Sequence, residues 1–283
     1  MAHSKNILIT GANGFLGQRL SMMYLERGFS LILMARKFDD EFTKSLHNKC
    51  NKSQTIDFIC CDLLNHDELY GAIMMVKKKY QSLNVLVNNA AIQNPISDIE
   101  NLDINDWKMN IELNLNVPVL MCNAMIPLLK KNSFSSIINI SGGGATGPRP
   151  EFSAYAASKT ALVRFTETIA LELEKYNINV NAIAPGVMPS QMMQDIIKKE
   201  KVNDREKKTA HHSINEPFEI KEILDLFEFL SSDVSAGLTG RLISAKWDNW
   251  KQWPSNLMEL IDKDLYTLRR ITARDKSLNW GDK

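Results

Sequence analysis

Tyr155 and Lys159 stand at i and i+4 in the run Tyr155-Ala156-Ala157-Ser158-Lys159, which opens a helix expected to reach about Tyr176. That spacing puts both side chains on one helix face, one turn apart. A free phenol titrates near pKa ~10 and a lysine near ~10.4, so an isolated tyrosine is a poor acid or base at neutral pH. A neighbouring ammonium favours the phenolate and lowers the phenol's pKa. Such a pair can give a proton to a carbonyl oxygen or take one from an alcohol. The spacing alone fits two side chains on a solvated face equally well, so the weight falls on the segments that would bring a reactant to them.

One such segment lies near the start of the chain. Thr10-Gly11-Ala12-Asn13-Gly14-Phe15-Leu16-Gly17 separates a short apolar run at 6–10, suited to a buried parallel strand, from a helix reaching about Gly28. Glycines between strand and helix permit a tight turn and close approach of a ligand to the backbone. The N–H groups at the helix start then face a pyrophosphate with a partial positive charge. A glycine-rich turn needed only for packing has the same look. The next strand, 31–35, ends at Arg36-Lys37, about 20 residues past the loop, where an acid would bind a ribose 2′-hydroxyl and an arginine a 2′-phosphate. Arg36 therefore favours NADP(H) over NAD(H), against the alternative of ordinary surface charges.

These segments belong to a repeating βα rhythm. Strands are expected at 55–61, 84–88, 136–140, 178–184 and 240–245, with helices at about 66–80, 104–131, 155–176 and 219–230. That alternation implies an α/β fold, a doubly wound parallel sheet of Rossmann type in a single domain. Ligands bind such sheets at the carboxyl ends of the strands. The domain spans 1–245 and is followed by an extension, 246–283. The polar stretch 188–216 reads either as a lid over a substrate or as a solvated amphipathic helix. The extension carries Trp247, Trp250, Trp253 and Trp280 with Arg269, Arg270 and Arg274. Leu257, Leu260, Ile261 and Leu265 fall at helical spacing. Docking on the body or on a second subunit competes with a part in framing a substrate pocket.

Composition narrows the function classes. A net charge of +1 gives no electrostatic case for nucleic acid or an acidic membrane. The apolar runs read as strand-sized, which leaves no membrane span, and the first ten residues lack a signal-peptide core. Cys50, Cys60, Cys61 and Cys122 form no CxxC pair and no metal spacing, which implies reduced thiols and a cytoplasmic protein. No metal site is expected.

Together, Thr10-Gly11 with Gly14 and Gly17, Asp62, Asn88-Asn89-Ala90, Asn114, Tyr155 with Lys159, and Pro185-Gly186 resemble the short-chain dehydrogenase/reductase family over about 6–245. The resemblance implies that Tyr155 is the general acid/base and that Lys159 holds the nicotinamide ribose and lowers the tyrosine's pKa. Asn114 resembles the asparagine that kinks the long helix and holds a relay water. Asp62 and Leu63 would contact the adenine, Asn89 and Ala90 would lie beside the adenosine ribose, and Pro185, Gly186 and Ser190 would border the nicotinamide. Homodimers or homotetramers packed through the helices of Asn114 and Tyr155 are implied too.

Two departures stand out. The loop reads TGxxGxxG where compact family members read TGxxxGxG, a spacing similar to the sugar-nucleotide branch. The family's substrate-orienting serine usually lies 13 residues before the tyrosine, a position occupied here by Gly142, with Ser141 one place earlier. Ser141 is the candidate to take that role, its backbone freed by three successive glycines. The expectation is an oxidoreductase moving a hydride between NADP(H) and a small carbonyl/alcohol substrate. The alternatives are a sugar-nucleotide reductase of polysaccharide assembly and a non-catalytic dinucleotide-binding or sensing module.

Overall fold

Seven apolar runs form the strands β1 (Asn6–Thr10), β2 (Ser30–Ala35), β3 (Ile56–Cys60), β4 (Val85–Asn88), β5 (Ser135–Ile140), β6 (Ile178–Ala184) and β7 (Leu242–Ser244). This computed structural model describes residues 5–278, so Trp280 lies outside the described residues. All seven strands pair in parallel, in the order β3-β2-β1-β4-β5-β6-β7. The order reverses between β1 and β4, where a doubly wound sheet opens a crevice at its carboxyl edge.

The helices are α1 (Phe15–Glu26), α2 (Asp40–Lys49), α3 (His66–Lys79), α4 (Ile104–Ile111), α5 (Val117–Leu129), α6 (Ser153–Leu173), α7 (Gln191–Lys198), α8 (Asp204–Asn215), α9 (Lys221–Leu230) and α10 (Leu257–Asp262). Side chains alternate between sheet faces, and the core divides accordingly. Ile7, Ile9, Leu31, Leu33, Val85 and Val87 pack with α1, α2 and α9. Leu8, Ile32, Met34, Leu86, Ile137 and Val180 pack with α3, α5 and α6. Burial on both faces explains why the strands read as continuous apolar runs.

Several elements differ from the sequence expectation. Helix α2 follows a charged stretch and begins where Asp39 Oδ1 accepts from the N–H groups of Glu41 (2.9 Å) and Phe42 (3.1 Å). The expected 104–131 helix is interrupted at Glu112–Asn116 by a π turn, with Asn114 buried in it. By length and composition, the helical run Ile104–Leu129 could cross a membrane, so the apolar runs are not only strand-sized. Here Val117, Met121, Cys122, Met125 and Leu129 face the protein core.

The stretch 188–216 forms α7 and α8, whose Ile196, Val202 and Ala210 pack on Ile96, Phe152 and Tyr155. In the tail, Trp250 and Trp253 are buried in the first core, while Trp247 is 78% exposed. The helix at 257 stops at Asp262 and leaves Leu265 exposed. Trp253 lies 4.5 Å from the Tyr266 ring, and Leu242 N–H donates to Tyr266 O (2.8 Å), so the tail occupies the open edge of β7. It then crosses α6. Leu268 N–H donates to Glu167 Oε1 (2.6 Å), and the Arg164 guanidinium donates to Leu268 O.

Candidate active site

The parallel topology gathers the singled-out residues at one rim. Thr10, Arg36, Asp62, Asn89, Ser141 and Pro185 each stand at or just past the carboxyl end of a strand. Gly11 takes φ +63°, and a Cβ there would lie 2.8 Å from Ala90 Cα, so a glycine is needed for the β1 and β4 ends to meet. Asn89 Nδ2 fastens that contact by donating to Thr10 O (2.9 Å) and Gly11 O (3.0 Å), and Thr10 Oγ1 accepts from Ala90 N–H (3.1 Å). At Gly17 a Cβ would stand 2.4 Å from Gly11 O, which draws α1 tightly onto the loop.

The start of α1 carries no side-chain cap, as is also true of α5, α6, α7, α9 and α10, but it alone of these follows the glycine turn after β1. Side chains of Asp39, Asn65, Asp103 and Asn203 cap α2, α3, α4 and α8. Gly14 caps α1 and supplies no side chain, so among the described residues no side-chain acceptor meets the N–H groups of Phe15, Leu16 and Gly17. Asn13 Oδ1 accepts from Asp39 N–H (3.1 Å) and so ties the loop to the end of β2. Arg36 is exposed and makes no ion pair among the described residues. An open helix terminus over a tight glycine turn suits a pyrophosphate, and these residues fit a dinucleotide. Asp62 Oδ1 accepts from Leu64 N–H (3.0 Å), while Leu63 is buried. Gly186 turns at φ +88° and Ser190 precedes α7.

Tyr155 and Lys159 sit in the first turns of α6 and face inward, 8% and 2% exposed. Lys159 Nζ donates to Ile140 O at the end of β5 (2.8 Å), and burial pushes its pKa down to about 7. Burial raises the pKa of Tyr155, and the guanidinium of Arg149 pulls it back down. The sequence assigns that pull to Lys159; in this structure it comes from Arg149, 5.6 Å from the phenol ring. Arg149 also lies 3.7 Å over the Phe152 ring and forms a two-point ion pair with Glu206 of α8 (3.0 and 2.7 Å). Glu151 caps the start of α8 through Asn203 N–H (2.9 Å), so the loop before α6 grips the helix pair above it.

Asn114 is fully engaged. Its Oδ1 accepts from Ile92 N–H (3.0 Å), and its Nδ2 meets Ile92 O (2.8 Å), Asn110 Oδ1 (2.8 Å) and Ser158 Oγ (3.1 Å). The network locks the π turn to the segment after β4 and to α6. Ser141 is 2% exposed, and its Oγ has no partner among the described residues, Tyr155 included. The tyrosine hydroxyl lies instead against Gly142, where a Cβ would stand 2.3 Å from it. Arg149, Glu206, Asn110 and Ser158 are constituents that sequence reasoning missed. Asn110, one turn before Asn114, had a readable spacing, whereas Arg149 and Glu206 meet only through folding.

The family model for short chain dehydrogenase matches residues 5–201. The chain belongs to the short-chain dehydrogenase family. Among members of that family, the human "Dehydrogenase/reductase SDR family member 4" is 24% identical over 241 residues, 85% of each chain. Trans-4-hydroxycyclohexanecarboxylate dehydrogenase of Sinomonas cyclohexanicum is 30% identical over 244 residues, 83% of this chain and 89% of that one. The same fold is found in a putative NAD(P)-dependent gluconate 5-dehydrogenase from Beutenbergia cavernae, with bound NADP at low occupancy. It superposes with TM-score 0.73 at 19% identity, over 86% of this chain and 96% of that one.

Proposed function

We propose that this short-chain dehydrogenase interconverts a small carbonyl compound and its alcohol with NADP(H). The observation that carries the reading is the buried Tyr155 hydroxyl on Gly142, one helical turn from Lys159 and at the same rim as the uncapped start of α1. The α1 N–H groups would hold the pyrophosphate, Asp62 and Ala90 would flank the adenosine, and Lys159, Pro185, Gly186 and Ser190 would border the nicotinamide half. When bound, the cofactor supplies or accepts the hydride at nicotinamide C4. Tyr155 gives its proton to the substrate oxygen in reduction and takes it back in oxidation. Burial keeps the phenol protonated, and the Arg149 guanidinium eases the proton's departure. Helices α7 and α8, packed on Phe152 and Tyr155, keep water from the reacting groups.

Preference for NADP(H) is supported by Arg36, which has no ion-pair partner among the described residues, and by Asp39, whose Oδ1 is occupied in capping α2. The thiols, none of them in a disulfide among the described residues, suit a reducing compartment. As a homodimer or homotetramer the protein would use the outer faces of α5 and α6, where Leu120 and Leu171 are 43% and 76% exposed. Residues 268–270 lie along part of that α6 face.

The test is thermal unfolding with NADPH and with NADH, followed by a screen of carbonyl compounds. Saturation at ~100 times the dissociation constant adds roughly 2.7 kcal/mol of stability. The larger midpoint shift is expected with NADPH, and Tyr155→Phe should retain that shift while losing turnover. An equal or larger shift with NADH removes the 2′-phosphate assignment, and turnover by Tyr155→Phe removes the proton-transfer assignment.

A further inference from the structure

Resting on the reductase reading above, we infer that the backbone N–H of Gly142 donates the hydrogen bond that polarises the substrate carbonyl, sharing its oxygen with the Tyr155 hydroxyl. The family pattern would place a serine side chain here. The structure leaves no room for one, because a Cβ on Gly142 would lie 2.3 Å from Tyr155 Oη and 3.2 Å from Cζ. The hydroxyl fills the volume where that side chain would start.

The direction of the N–H follows from strand register. Along β5, odd-numbered N–H groups bond to β6: Ser135 donates to Asn177 O (3.2 Å) and Ser141 to Ile183 O (2.8 Å). Even-numbered ones point to β4, as Ser136 does in donating to Asn84 O (2.9 Å). Strand β4 ends at Asn88, paired with Asn139. Gly142 N–H therefore points past the end of β4, into the crevice, and has no acceptor there among the described residues. Its own carbonyl closes a turn onto Ala145 N–H (3.3 Å), with Gly144 at φ +99°. The planes on either side of the one that carries this N–H are thus both hydrogen-bonded, through Ser141 N–H and Gly142 O, which limits its rotation, as a donor aimed at developing charge requires.

The distances suit one shared acceptor. The backbone nitrogen lies about 2.5 Å from its residue's Cβ position, which bounds its separation from the Tyr155 hydroxyl at about 5 Å. One oxygen accepting two hydrogen bonds of about 2.9 Å spans donors up to about 5.8 Å apart. As the carbonyl is reduced, negative charge gathers on this oxygen. The Tyr155 O–H bond then breaks as the alcohol O–H bond forms, and the Gly142 N–H remains as a fixed donor. Ser141 is the competing source, but its hydroxyl makes no hydrogen bond to Tyr155, and its backbone N–H is held by β6.

The direct test replaces Gly142 by glycolate through ribosomal incorporation of the hydroxy acid, which puts an ester oxygen where the N–H was. With a carbonyl substrate turned over by the wild type, kcat should fall by a factor of roughly 10², with the NADPH-induced midpoint shift retained. Gly142→Ser should lose activity rather than gain it, because its Cβ displaces the Tyr155 hydroxyl. Wild-type kcat in the ester protein, or a rise in kcat for Gly142→Ser, overturns the inference while leaving the reductase reading intact. A 10²-fold loss in Ser141→Ala alone would move the role to that hydroxyl. A wild type that binds NADPH but turns over no carbonyl would bring down the reductase reading, and this inference with it.

Discussion

Replacing Lys159 with methionine should change how stability depends on pH, in a direction the structure dictates. Lys159 is buried with Nζ on Ile140 O, and its pKa falls from 10.5 to about 7. Between those values the unfolded chain holds a proton that the folded chain lacks. Unfolding then takes up a proton, so wild-type stability rises with pH across this window. Taking the two pKa values at face value, the gain between pH 7 and pH 9 is about 2 kcal/mol. For a chain of 283 residues that is about 4 °C in midpoint. Cys61 and Cys122, raised to about 11 and 12 by burial, act in the opposite sense as their unfolded thiols ionise near pH 9. Both proteins carry those thiols, so the difference between them isolates the lysine. Denaturant titrations at pH 7, 8 and 9 should show Lys159→Met ahead of its pH 9 advantage by about 2 kcal/mol at pH 7. Saturating NADPH, whose phosphates favour the ammonium, should flatten the wild-type slope. Parallel pH profiles for the two proteins would refute the idea that this lysine is held near neutrality by burial.

Arg149→Gln should loosen α8, because it breaks a two-point ion pair whose side chains are only 15% and 18% exposed. A double-mutant cycle with Glu206→Gln should give a coupling of about 1.5–3 kcal/mol, together with faster amide exchange in residues 204–215. A coupling near zero would leave α8 held by apolar packing alone. Gly17→Ala tests the loop geometry through the sign of the effect. In an open helix the exchange stabilises by about 1 kcal/mol, but here the Cβ meets Gly11 O at 2.4 Å and Ala12 Cα at 2.8 Å. Destabilisation of about 1–3 kcal/mol with loss of the NADPH shift is expected, read by thermal unfolding; a stabilised variant would show that the loop has room.

What was legible from sequence had local causes. The βα rhythm reflects strands buried on both faces, and the glycine loop reflects close approaches at Gly11 and Gly17; the interruption at Asn114, a π turn, was indicated only by the family resemblance. What was not legible depends on pairs distant in sequence. Arg149 and Glu206 stand 57 residues apart and read as unrelated surface charges until α8 folds over the rim. The tail tryptophans suggested a pocket wall or an anchor, and only the packing of Trp250 and Trp253 into the core separates those uses for the two residues. Gly142 looked like a missing functional group; its contact with Tyr155 is a property of two elements meeting, which no spacing encodes.

The path of the tail bears on how the molecule is made. Glu167 lies on α6 in the middle of the chain, yet the backbone it grips belongs to Leu268, 101 residues later. A ribosome delivers the N-terminal portion first. The nascent chain can therefore build its first six strands while this carboxylate and the outer rim of the sheet still wait for partners. The C-terminal segment then acts as the closing seam, a step taken only once synthesis has reached it.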